Sequence, residues 1–417
     1  MNNKRRVVIT GMGTVSALGF NETDLWDRLV TGQTGIRTIT HVDTTEMKTT
    51  VGATIDRELL KAALQQIRVR YTDITVDGAM LASDQALKQA GLLAEGETPA
   101  PQEIATIFGT GIGSAESYSE SVRSLHEKGI KGVRPTTVPR CMANAVCSQI
   151  AIRYRLTGPN YVVTAACTSS TTAIGIAYRM IKDGYIDKAL CGGSDTIFEP
   201  LTLVAWDRLG VMSKNPDPTK ACRPFDRDRD GCVIGEGAAA LVIETLESAK
   251  ARGATIRAEI AGYGESSDAR HITAPDAEGQ ARAIRAALAS AGITPDAIGA
   301  INAHGTATSA NDPTECESIR MALGTAAATI PLASLKPYFG HLLGGSGAIE
   351  TLAAVLSLEK GILPPVLNLD NPDEAAVGLC FTGSAPVPLQ RPCILKNSFG
   401  FGGNNGVLVL RLAETNG

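Results

Sequence analysis

Histidine is scarce in this sequence, with five in 417 residues. No two cysteines stand in a CxxC pair, so there is no zinc signature and no metal is expected. Nine cysteines, an odd number scattered over a large chain, do not make the framework of a disulfide-stapled domain. No apolar run approaches the roughly 20 residues needed to span a bilayer. The early run Val7–Thr10 breaks at Gly11 and is too short for the apolar core of a signal peptide, so a cytoplasmic location is expected. Basic charge is not in excess either: 39 Lys and Arg stand against 43 Asp and Glu, a formal charge of −4. Nucleic acid and anionic membranes call for a basic face, so neither partner is expected. Gly11-Met12-Gly13 follows a strand, but Ser16 stands where the third glycine of a dinucleotide loop belongs. No GxxxxGK[ST] phosphate loop is present.

Hydrophobic residues make up 44% of the chain, and glycine fills 43 positions. That implies a globular core with many tight turns and close backbone contacts. β-Branched runs alternate with Ala- and Leu-rich stretches, the pattern of an α/β protein with helix-covered sheets. Strands are expected at Arg6–Thr10, Ile104–Gly109, Tyr161–Thr164, Lys188–Cys191, Ala238–Glu244, Ala258–Gly264, Ile298–Asn302, Ile394–Asn397 and Val407–Leu410. Helices are expected at Asp73–Ala90, Ser169–Lys182, Gly279–Ala291, Pro313–Leu323 and Ser346–Lys360.

The chain also echoes itself. VVITGMGTVSAL (Val7–Leu18) resembles AEIAGYGESSDA (Ala258–Ala269), and IATIFGTGIGS (Ile104–Ser114) resembles IGAINAHGTAT (Ile298–Thr308). Tyr161–Lys182 and Pro331–Lys360 each read as strand, turn, helix. Their common order suggests a duplication, with halves 1–250 and 251–417 meeting near Glu244–Arg257.

Four segments carry the chemistry. In TAACTSS (Thr164–Ser170) a β-run delivers Cys167 to a sharp turn before a helix. A helix N-terminus lowers a thiol pKa, and the turn's N–H groups suit an oxyanion. The other eight cysteines read as small core residues. In NAHGTAT, His304 ends a strand, and Thr306 and Thr308 offer hydroxyls to a ligand. SLKPYFGHLLGGSG brings Lys336 and His341 into a second strand-to-helix turn. NSFGFGGNN, with Phe399 and Phe401, is a close-approach loop or a turn between the last two strands. A thiolate with two imidazoles and an ammonium nearby points to acyl transfer with stabilisation of a developing enolate.

With these motifs in place, the sequence closely resembles the β-ketoacyl-[acyl-carrier-protein] synthases, particularly the type II elongating branch, from VVITGMGTVSALG to NSFGFGGNN. The resemblance implies the thiolase fold, two βαβαβ-type halves packed as five layers, αβαβα. It implies a ping-pong Claisen condensation with malonyl carrier protein for fatty-acid or polyketide elongation. Cys167 would carry the acyl group, and His304 and His341 would stabilise the enolate. The N–H groups of Cys167 and Phe401 would form the oxyanion hole. Lys336 would orient His341 and, with Glu315, maintain the electrostatics. Thr306 and Thr308 would bind the pantetheine arm. Phe401 would gate the site, with Asp268 in a second gating loop, and Ile112 and Trp206 would line the acyl pocket. No separate cofactor is implied beyond the phosphopantetheine of the acyl carrier protein, which is the expected partner. Arg68, Arg70, Lys128, Lys131 and Arg134 are docking candidates for that acidic partner. A dimer is implied, either of this chain with itself or with a chain-length factor lacking the cysteine.

Some positions depart from the family's usual residues: Pro337, Tyr338, Phe339, Gly345, Ser346 and Asn404. They are expected beside the pocket and its gate, where they would bear on substrate choice and point to a polyketide or aryl-polyene ketosynthase subunit. A degradative thiolase would carry a second cysteine where His304 or His341 stands. A purely structural chain-length factor would lack Cys167.

Overall fold

The computed structural model describes residues 5–70, 72–94 and 99–413. Its main sheet has eleven strands in two similar sets. One set runs Asn160–Val163, Ala105–Gly109, Lys188–Asp195, Gly237–Thr245, Val7–Ser16. The other runs Pro331–Ala333, Ala300–Asn302, Cys393–Gly400, Asn404–Arg411, Ala258–Ser267, with Cys380–Phe381 added at its outer edge. Numbered along the chain within each set, both have the order 3-2-4-5-1. In both, strands 3, 2 and 4 are parallel, while 5 and 1 run antiparallel to their neighbours. Among the described residues, the sets join where Val7–Ile9 pairs with Ala258–Ile260.

Two helices, Ser169–Lys182 and Ser346–Lys360, pack against strands of both sets and against each other. A helix between two sheets must be apolar nearly all round. Accordingly, every residue from Ser346 to Leu358 is buried. Ile74–Gln89 and Ala145–Tyr154 cover the outside of the first set, and Ala277–Ala291 and Asn311–Leu323 flank the second. The result is the five-layered αβαβα arrangement that the sequence led us to expect.

The first strand does not break at Gly11. It runs through Gly11 and Gly13 to Ser16. A Cβ on Gly11 would stand 2.1 Å from the Ala86 carbonyl oxygen, and one on Gly13 equally close to that of Ala82. These glycines let the backbone of helix Ile74–Gln89 press onto the strand. Each central helix follows a strand and a tight turn, and these two turns bring Cys167 and His341 together at the middle of the molecule.

Candidate active site

Strand Asn160–Val163 leads into a turn at Ala166, whose φ is +49°. That left-handed conformation costs a non-glycine residue roughly 1–2 kcal/mol. It places Cys167 just ahead of helix Ser169–Lys182. From the facing turn, His341 Nε2 lies 3.1 Å from Cys167 Sγ. The ring's other nitrogen, Nδ1, is 2.9 Å from Ser346 Oγ. The His304 ring stands edge-on to that of His341, with centroids 5.3 Å apart. One ring nitrogen from each histidine and Cys167 Sγ all lie within 4.8 Å of one another, so a single small group can touch all three.

The electrostatics of this cluster are those of a buried site. Burial pushes the Cys167 thiol up to about 11, opposed by Lys336 and by the N–H groups of Phe401 and of Cys167 itself. The thiolate expected from a helix N-terminus is therefore not the resting form, because desolvation outweighs the favourable charges. Burial, and then Lys336, hold both histidines well below their ordinary value, so both are neutral. A neutral thiol beside a neutral imidazole can pass its proton when an acyl group arrives.

The ammonium of Lys336 donates to the His304 carbonyl and, at 2.7 Å, to Glu350 Oε1. It also lies 3.5 Å from His304 Nδ1. The resemblance has Lys336 orient His341 and share the electrostatics with Glu315, but its contacts are to His304 and Glu350. The reason is its place on the short helix Lys336–Phe339, under the His304 strand end. Glu315 instead accepts the N–H groups of His304 and Gly305, at 2.8 and 2.7 Å, and fixes that backbone.

A cavity of about 360 Å³ opens onto Cys167, His304 and His341. Thr306, Thr308, Trp206, Phe401 and Asp268 all line it. The two threonine hydroxyls are 2.8 Å apart. Phe401 stacks on Trp206 with ring centroids 6.0 Å apart and planes 14° from parallel. Phe401 follows Gly400, where a Cβ would come within 3.0 Å of the Cys167 nitrogen. The NSFGFGGNN segment is thus a strand-to-strand turn that also makes a close approach. Asp268 is buried; it accepts from Asn405 Nδ2 at 2.7 Å, and its own N–H donates to the Gly403 carbonyl.

Ile112 does not line this cavity. It is 45% exposed, in a loop whose N–H groups are held by Asp195. Arg68, Arg70, Lys128, Lys131 and Arg134 are exposed, and none lines the cavity. Arg70 and Arg134 border a separate groove with Arg123 and Arg140, and Arg134 pairs with Glu120. The departing residues divide: Asn404 and Ser346 lie beside the gate and the site as expected, and Tyr338 and Phe339 do not. Tyr338 and Phe339 are fully buried in the core, where the Tyr338 hydroxyl donates to the Pro365 carbonyl. Asn404 bonds the Phe401 carbonyl, and only Ser346 touches a ring of the site.

The description "Beta-ketoacyl synthase, N-terminal domain" matches residues 4–249, and "Beta-ketoacyl synthase, C-terminal domain" matches residues 257–370. The chain belongs to the β-ketoacyl synthase family. The 3-oxoacyl-[acyl-carrier-protein] synthase 2 of Coxiella burnetii is 40% identical to this synthase over 411 residues, 98% of each chain. The corresponding Vibrio cholerae protein is 39% identical, covering 98% of this chain and 99% of its own. Among solved structures, the ishigamide ketosynthase/chain length factor matches with a TM-score of 0.90 at 33% identity, covering 98% of this chain and 100% of that one. A type II polyketide ketosynthase, solved bound to the hexaketide and in complex with its acyl-carrier protein, matches with a TM-score of 0.90 at 28% identity, covering 99% and 100%. The synthase has the thiolase fold and is an acyltransferase.

Sequence reasoning missed Glu350, Lys396 and the bond made by Ser346. The signal for the first two was present: a charged residue inside each of the apolar runs GAIETLAAVL and ILKNSF.

Proposed function

We propose that this enzyme elongates acyl chains by decarboxylative condensation, with Cys167 as the acyl carrier. The Cys167–His341 contact at 3.1 Å carries the reading. In the first half-reaction the thiol attacks an acyl thioester of acyl carrier protein. The Cys167 S–C bond forms, the carrier's C–S bond breaks, and the thiol proton passes by way of His341 to the leaving pantetheine sulfur. In the second, malonyl carrier protein loses CO2 and its electron pair remains as an enolate. His304 and His341 donate to the enolate oxygen. The carbanion attacks the Cys167 thioester, whose oxyanion faces the N–H groups of Cys167 and Phe401. A C–C bond forms, the C–S bond breaks, and the freed thiolate takes up one proton.

In this scheme Thr306 and Thr308 bind the pantetheine arm and Phe401 with Asp268 gates it, a reading supported by their lining the cavity. Lys336 and Glu315 support His304. The enzyme requires no separate cofactor in this scheme. Arg68, Arg70, Lys128, Lys131 and Arg134 are the docking candidates for the carrier. Among the described residues no helix is long and apolar enough to cross a membrane, and we place the enzyme in the cytoplasm.

A paired subunit is favoured by the surface. Strand Asn160–Val163 is an edge strand, and Tyr161 on it is 47% exposed. Helix Ala115–Lys128 exposes Tyr118, Val122 and Leu125 along one face. The matching polyketide structures make pairing with a chain-length factor the second reading. Product mass spectrometry with defined acyl- and malonyl-carrier proteins tests the function. Extended β-ketoacyl carrier is expected, and its absence with a loaded Cys167 would overturn the condensation.

A further inference from the structure

Lys396 is fully buried in strand Cys393–Gly400, and nothing in the mechanism above uses it. Its ammonium stands 3.0 Å from Glu350 Oε2 as an ion pair. It donates to Thr171 Oγ1 at 3.0 Å and to Ser398 Oγ. Those partners lie on three elements: the helix that follows Cys167, the helix that follows His341, and the strand that leads to Phe401. Glu350 gives its other oxygen to Lys336. One buried carboxylate therefore serves two buried ammonium groups. An unpaired ammonium is costly to bury, so an excess cation retained here calls for an explanation.

We propose that Lys396 is a positioning residue for the condensation: it clamps the second oxygen of Glu350, keeps Lys336 on His304, and leaves the Lys336–Glu350–Lys396 cluster with one excess positive charge behind the two imidazoles. This rests on the condensation reading above. The excess charge opposes protonation of His304 and His341 and favours the enolate they face. His304 feels Lys336, His341 and Lys396, and His341 feels Lys336 and Lys396. Burial draws the Lys396 ammonium below the ordinary lysine value, and Lys336 adds to this, while Glu350 and Glu315 oppose it.

The test is Lys396→Met, assayed as malonyl-carrier decarboxylation against pH, with loading of Cys167 followed in the same samples. The expected result is a kcat about tenfold lower with little change in KM, because the lost interaction acts on the reacting state. The acid limb of the profile should also move to higher pH, since one cause that holds the imidazoles neutral is gone. Unchanged kcat and an unmoved acid limb in a folded variant would overturn the proposal. If Lys396→Met does not fold, Lys396→Gln keeps donors for Glu350 and Thr171 without the charge, and the same movement of the acid limb decides. A wild-type enzyme that loads Cys167 poorly would count against the condensation reading instead.

Discussion

At the level of single residues, the candidate site is a buried thiol with an imidazole nitrogen 3.1 Å away. The thiol rests near 11 because burial outweighs Lys336 and the N–H groups of Phe401 and Cys167. Cys167→Ala should abolish acyl loading, read as loss of the acyl mass, while His304→Ala should still load and His341→Ala, without the imidazole beside the thiol, should load more slowly. His304→Ala and His341→Ala should each lower condensation at least about a hundredfold, since each removes a donor to the enolate. Normal condensation by both would refute their roles. Ser346→Ala removes the partner of His341 Nδ1 and should lower kcat several-fold without unfolding the chain. The imidazoles act neutral, and burial holds them well below the ordinary histidine value. Activity should accordingly persist as pH falls through about 6.5, and fail only at lower pH. The residues at the reacting centre were legible because each ends a strand or opens a turn. Glu350 and Lys396 were not, because a charge inside an apolar run reveals its partner only when two elements pack together.

Among the elements, glycine determined what could be foreseen. The central helices Ser169–Lys182 and Ser346–Lys360 fall at the expected boundaries, because an apolar run of helix-forming residues has few alternatives. The sequence pattern ends the first strand at Thr10, because Gly11 follows the β-type run. Gly11 and Gly13 in fact admit the backbone of helix Ile74–Gln89 at Ala86 and Ala82, a contact far along the chain that no local pattern reveals. Gly11→Ala should cost about 3 kcal/mol, since the added carbon meets a backbone oxygen rather than a movable side chain. A thermal melt should show the midpoint lowered by several degrees, and an unchanged midpoint would contradict the close approach. The departures at Tyr338 and Phe339 show the opposite error: residues beside a catalytic motif in sequence point into the core.

Over the whole molecule, the repeated strand order 3-2-4-5-1 explains why the site lies where it does. Each set contributes one strand-turn-helix, and the two turns face each other with Cys167 on one and His341 on the other. The weak sequence echoes between Tyr161–Lys182 and Pro331–Lys360 correspond to these two units, although little sequence survives in common. What the sequence could not reveal is which surfaces would suit a second subunit, because an exposed Tyr161 or Val122 looks like any other surface residue until the fold places it at an edge or on a helix face. Sedimentation should show a dimer, and Tyr161→Asp should weaken it. The account as a whole rests on Cys167 carrying the acyl group. Intact-protein and peptide mass spectrometry after incubation with acyl carrier protein should show one acyl mass on the Cys167 peptide, discharged when malonyl carrier protein is added. An acyl mass on another residue, or loading that survives Cys167→Ala, would contradict it.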